Sequence, residues 1–275
     1  MTRAASSALL ALLALSGAFA AVAQPAPAPA APAATVTTVG ANLNISPKRV
    51  TFDRTRRTAS VYIYNQGSAP ATFDITLVDR AMMPDGQIVA VTDAKPEQSA
   101  IVGQVKSAKD MLQISPRRAV LAPGQGQNIK LRIVGADPGG AVEYRSHLTI
   151  TTIPPPTVGL TAEQAAGARP NELRFQINSV FGLSIPAIIR SGDLDVRAGL
   201  ENGRIEYADV SLDGASPPKR TPMMVFDLVR LGPNSLFGNV EIRPAGQRRG
   251  DPIGLARGVG VYPEIPRRTL RVPLT

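Results

Sequence analysis

From Leu43 onward, stretches in which apolar and polar residues alternate recur roughly every ten residues, and Gly, Pro, Asn or Asp bounds each of them. Alternation with a period of two puts successive side chains on opposite faces of a strand. In Ala59–Asn65, Val61 and Ile63 share one face and Tyr62 and Tyr64 the other. Asn128–Val134 sets Ile129, Leu131 and Ile133 against Lys130 and Arg132. Thr72–Val78, Leu112–Ser115 and the long Glu143–Ile153 read the same way, and Pro47 interrupts the opening strand, Leu43–Phe52. Turn chemistry falls at Asn65–Pro70, Met83–Gly86, Ala122–Gln125 and Asp137–Gly140. Lys95–Lys109 reads as a loop with a helical turn, and the one helix candidate is Ala162–Ala168. Past Pro186 the strands are shorter: Ala187–Arg190, Leu194–Leu200, Arg204–Leu212, Met223–Arg230, Leu236–Arg243, Ala256–Tyr262 and Thr269–Leu274, with turns at Glu201–Gly203 and Asp213–Gly214. Such a series predicts antiparallel β-sandwiches rather than alternating strands and helices.

One stretch has special weight. Leu173–Pro186 is long for a strand, and Leu173, Phe175 and Ile177 alternate with Arg174, Gln176 and Asn178. It is expected to end at Pro186, which cannot donate a ladder hydrogen bond. Lying where one domain hands over to the next, it can close its own sheet and still offer an edge to a partner.

The N-terminus reads as an export leader over residues 1–23: Arg3, an apolar run from Ala8 to Ala20, then small-residue cleavage sites ending at Ala20 and Ala23. Residues 24–35 form a Pro/Ala-rich spacer that cannot hold a core. The remainder, roughly 240 residues, suits two domains of ordinary size, expected at 36–186 and 187–275. Cysteine is absent and His147 is the only histidine, which excludes a disulfide framework, Cys nucleophiles and His- or Cys-based zinc sites. The formal charge of +9 is scattered rather than clustered with aromatics, and Trp is absent, so nucleic-acid binding is not indicated.

Candidate catalytic groups are weak. Gly124-Gln-Gly126 lacks the strand-to-helix context of a phosphate loop. Asp193 and Asp195 read as a solvated strand end, and His147 as a structural histidine on the face opposite Leu148 and Ile150. Neither an enzyme nor a cofactor is expected. Arg49 is more suggestive, because a guanidinium fork can receive a carboxylate bidentately.

Three stretches together carry a resemblance: Ser46-Pro-Lys-Arg-Val-Thr-Phe-Asp53 with Ala59-Ser-Val-Tyr-Ile-Tyr-Asn65; Leu121-Ala-Pro-Gly-Gln-Gly-Gln127 leading into Ile129–Ile133; and Glu143-Tyr-Arg-Ser-His-Leu148 running to Ile153-Pro-Pro155. Their order and spacing resemble the PapD-like periplasmic pilus-assembly chaperones over roughly Leu43 to Pro186. The resemblance implies an all-β chain of two immunoglobulin-like sandwiches set at an angle. It implies a periplasmic chaperone that lends a strand to pilus or fimbrial subunits by donor-strand complementation and delivers them to an outer-membrane usher. Arg49 then takes the subunit's C-terminal carboxylate, and Leu173, Phe175 and Ile177 become the groove-filling residues of the donor strand. Glu143 joins an ion network between the domains. Self-association is a further way to mask such an apolar strand.

Two positions depart from the family's pattern. Counted back from Pro186, its second carboxylate-binding residue, a lysine, falls on Phe181, and its arginine before the proline falls on Ile185. Both are thereby expected near the interdomain cleft, Glu143 loses its expected partner, and either Lys48 or Arg190 assists Arg49 or anchoring relies more on the strand. The alternative is an exported structural or adhesive protein, a surface subunit or a sugar-binding module. A subunit, however, should carry an N-terminal extension of alternating large apolar residues, and residues 24–35 do not.

Overall fold

The computed structural model describes residues 35–39, 42–135, 139–154, 174–178, 180–211, 213–247 and 249–274. The leader, the helix candidate Ala162–Ala168 and Leu173 lie outside them. In chain order the strands are β1 (Thr35–Val39), β2 (Leu43–Ser46), β3 (Val50–Phe52), β4 (Thr58–Asn65), β5 (Ala71–Val78), β6 (Arg80–Met82), β7 (Ile88–Ala90), β8 (Leu112–Ser115), β9 (Arg118–Leu121), β10 (Gly126–Ile133) and β11 (Glu143–Ile153). They continue with β12 (Arg174–Asn178), β13 (Gly182–Arg190), β14 (Ala198–Val210), β15 (Lys219–Arg230), β16 (Leu236–Ile242), β17 (Gly254–Val261) and β18 (Arg267–Pro273). The chain is all-β, as the alternation predicts.

The first sandwich packs the sheet β2-β4-β10-β8 against β3-β13-β11-β5-β9. Its core holds the inward residues of the alternating stretches: Val61 and Ile63 of β4, Ile129 and Leu131 of β10, Leu148 and Ile150 of β11. The second sandwich is smaller, with sheets β14-β15-β18 and β16-β17. Phe226, Leu228, Leu270, Val261 and Val259 fill its core. The β6–β7 hairpin closes through the expected Met83–Gly86 turn, where Gly86 takes a φ of 89°.

Three features differ from the sequence reading. Leu173–Pro186 is not one strand. β12 pairs in parallel with β1, whereas β13 pairs antiparallel with β11 and in parallel with β3. β13 also runs through Pro186 to Arg190. Pro186 faces His147 one residue before β3 begins to pair at Ala187, so β13 has a single neighbour where the N–H is missing. The expected domain handover thus falls inside a strand that serves both cores: Ile185, Ala187 and Ile189 pack in the first, and Ile188 in the second.

The segments on either side of Glu201–Gly203 are also one strand rather than two. The ladder between β14 and β15 slips between Glu201 and Arg204, and Asn202 takes a φ of 55°. An Asn-Gly pair supplies left-handed backbone equally well for a bulge or a turn, and here it makes a bulge. Finally, β1 and β9 are strands that the alternation does not reveal.

Candidate partner-binding cleft

β11 enters the junction between the sandwiches with three ionisable residues at alternate positions, Glu143, Arg145 and His147, all buried. Their opposite-facing neighbours Leu148 and Ile150 belong to the first core. One face of a single strand therefore lines the junction while the other builds a hydrophobic interior.

One oxygen of Glu143 is held from both domains, while its buried Oε1 has no hydrogen-bond partner among the described residues. Its Oε2 accepts from Arg190 Nε at 3.1 Å, and from the backbone N–H and the hydroxyl of Ser235 at 3.0 Å each. Ser235 Oγ in turn accepts from Arg49 Nη2 at 3.1 Å and Arg190 Nη2 at 3.3 Å. Two guanidinium groups thus converge on one hydroxyl that itself donates to the carboxylate. Arg49 comes from the bend between β2 and β3, and its guanidinium lies 4.5 Å from the Phe237 ring centroid and 5.8 Å from that of Tyr262. Arg49 Nη1 is buried with no hydrogen-bond partner among the described residues, and burial pushes this guanidinium down from its ordinary value. It stays charged all the same, since no reasonable shift takes an arginine near neutral pH.

A second ion pair crosses the same junction. Arg145 binds Glu264 through both terminal nitrogens, Nη2–Oε1 at 2.6 Å and Nη1–Oε2 at 3.1 Å, and stacks 3.8 Å from the Tyr262 centroid. Glu264 Oε1 also accepts from the Met82 N–H. Beside these pairs is an open cleft of about 360 Å³, bounded by the 103–106 loop, Ala141–Glu143, Pro233 and Pro263. His147 is buried edge-on to Tyr262, and its Nδ1 has no hydrogen-bond partner among the described residues. Burial, helped by Arg145, Arg80 and Arg49, pushes it down to about 3, so it is neutral and structural at physiological pH. Among the described residues no group of three or more His, Asp or Glu is arranged to hold a metal ion.

The predicted residues distribute unevenly. Arg49 and Glu143 meet in the junction. Phe181 does not: it is half exposed at the opposite end of the β11–β13 ladder, where its N–H donates to Thr152 Oγ1 at 2.8 Å. Ile185 is buried in the first core opposite Leu148. Both corrections follow from the register, which continues past Pro186 and brings Arg190, not Ile185, opposite Glu143. Glu143 therefore keeps a cationic partner. Lys48 is exposed. Phe175 and Ile177 lie in β12, in register with Val36 and Thr38 of β1. Sequence reading missed Arg145, Ser235, Phe237, Tyr262 and Glu264. The spacing of Glu143, Arg145 and His147 was a usable signal for the first of these.

No family model matches the chain, and neither does any curated protein. Solved structures do match along most of its length. The E. coli chaperone DraB aligns at 9% identity over 88% of each chain, with a TM-score of 0.45. A Salmonella enterica complex of the SafA pilin with the SafB chaperone aligns at 11% identity over 87% of this chain and 86% of that one, with a TM-score of 0.44. The CsuC–CsuE chaperone–tip adhesion subunit complex of Acinetobacter baumannii aligns at 11% identity over 85% of this chain and 88% of that one, with a TM-score of 0.41. The chain is similar to chaperones.

Proposed function

We propose that the protein is a non-enzymatic periplasmic chaperone, exported by a cleaved leader, that holds pilus or fimbrial subunits by lending them a strand and passes them to an outer-membrane usher. The observation that carries the reading is the placement of β12. It stands outside the sheets of both sandwiches, paired with β1 alone among the described strands, yet it leads into β13, which is fixed between β3 and β11. An extended segment with a free edge and alternating sequence, tethered to a rigid sheet, suits addition to an incomplete partner sandwich. Leu173, Phe175 and Ile177 fill the partner's groove, each apolar side chain contributing about 1.5–3 kcal/mol before ordering costs.

Arg49 receives the subunit's terminal carboxylate. Arg190 supplies the second positive charge in place of the family's lysine, and Ser235 holds both guanidinium groups in position. Co-expression with a pilin-like subunit tests the reading: Phe175→Asp combined with Ile177→Asp abolishes co-purification while the chaperone stays folded. Normal capture by that double variant would refute it.

A further inference from the structure

β14 carries an apolar row that the second sandwich leaves uncovered. The ladder puts Leu200 opposite Leu228, Ile205 opposite Met224 and Tyr207 opposite Pro222. Cross-strand partners point to the same face of a sheet, and Leu228 and Met224 belong to the second core. Leu200, Ile205 and Tyr207 therefore point to the core side, yet they are 68%, 58% and 63% exposed. The covering sheet has only two strands, β16 and β17, and it packs over β15 and β18. Among the described strands β14 is also the edge of its own sheet, with one side of its ladder unpaired. A strand this long and exposed is a template for adding another strand.

The other face of β14 selects the strand it fits. Glu201, Arg204 and Glu206 lie there with Arg267, Asp227 and Arg271, and Arg204 already pairs with Glu206 at 2.7 Å. We propose that β14 pairs antiparallel with β14 of a second copy about a two-fold axis at Ile205. In that register Arg204 of each copy faces Glu206 of the other, so two opposite-charge pairs form across the new ladder. The adjacent two-fold registers are disfavoured: centring on Arg204 or on Glu206 sets like charges directly opposite. The axis is perpendicular to the sheet, so both uncovered apolar rows stay on one side, with the two Ile205 side chains in contact and each Tyr207 beside Gly203 of the other copy. The bulge at Asn202 ends the pairing by bending the strand away. The result is one six-stranded sheet with an isologous interface, independent of β12 and of the cleft.

The test is sedimentation velocity across a concentration series, with circular dichroism confirming that each variant is folded. The wild-type protein forms a concentration-dependent dimer. Arg204→Glu and Glu206→Arg each turn both charge pairs repulsive and weaken the dimer roughly tenfold or more. An equimolar mixture of these two variants restores it, because each then meets its opposite. Ile205→Lys, at an exposed position, abolishes the dimer without affecting the fold. Phe175→Asp with Ile177→Asp leaves it intact. A monomer at all concentrations, a dimer indifferent to Ile205→Lys, failure of the mixture to rescue, or loss of the dimer on changing β12 would each overturn the proposal.

Discussion

Arg190 stands opposite Glu143 across the β11–β13 ladder, and its Nε donates to the Glu143 carboxylate at 3.1 Å. This pairing is a product of register. A strand that ended at Pro186 would face Glu143 with nothing, whereas one that continues brings a cation to the first residue of β11. The same continuation carries Ile188 into the second core, so a single strand both closes the first sandwich and fixes the position of the second.

Removing one partner leaves a charge without its counter-ion at a largely buried site. Arg190→Leu should therefore lower the unfolding free energy by roughly 2–3 kcal/mol, at the low end for a buried pair because Arg190 retains some solvent access. Glu143→Gln combined with Arg190→Leu should recover part of that loss. Urea denaturation of the two variants and of the double variant measures the coupling, and strict additivity would contradict it.

Arg49 has a different role, since its Nη1 has no partner among the described residues. Arg49→Ala should weaken binding of a pilin-like subunit about tenfold, the share of a partly exposed Arg–carboxylate pair. A subunit whose C-terminus is amidated should bind the wild type as weakly as the native subunit binds Arg49→Ala. Titration calorimetry with both subunit forms gives the comparison. An amidated subunit that binds at full strength would place the carboxylate elsewhere.

Acid should destabilise the fold through His147. Folding lowers its pKa from about 6.5 to about 3, so between those values the unfolded chain binds the proton and the folded one does not. Stability is then complete above the unfolded pKa and is lost as the pH falls towards 3. The loss from this group is about 2 kcal/mol at pH 5 relative to pH 7. His147→Gln should flatten the difference between those two pH values in urea titrations. Carboxylates such as Asp213 also lose stabilisation in acid, so only the difference between wild type and variant reports on His147.

The sandwiches were legible because β4, β10 and β11 bury one face and wet or charge the other, which is what period-two alternation encodes. β14 was not, because Asn202-Gly203 gives the same local signal whether the strand reverses or bulges; only pairing along β15 decides. The cleft was half legible. Arg49 stood out as a cation in an apolar opening strand, and Glu143 as the start of a long one. Ser235, which joins them, is 92 residues from Glu143 and has no local pattern to mark it. The mistaken placement of Phe181 and Ile185 came from counting the family's pattern back from Pro186, whereas the ladder runs on through that proline to Arg190, as a strand can where it lacks a second neighbour.

The Arg145–Glu264 pair should contribute to how firmly the two sandwiches are held together. Both side chains are almost wholly buried, and the contact is bidentate. Glu264 also accepts the Met82 N–H, so it ties the β6–β7 hairpin, whose Met82 packs in the second core, to the segment that precedes β18. Arg145→Met leaves that carboxylate buried without its cation and should cost about 3–5 kcal/mol. Glu264→Gln keeps an acceptor for Met82 but strands the guanidinium, and should cost a comparable amount. The double variant should be more stable than the sum of the single losses predicts, by roughly 1–3 kcal/mol. Hydrogen exchange at the Met82 amide provides a local readout: Arg145→Met should accelerate it more than exchange in β10, far from the junction. Equal acceleration at both sites would mean that the pair contributes only to global stability and does not hold the junction.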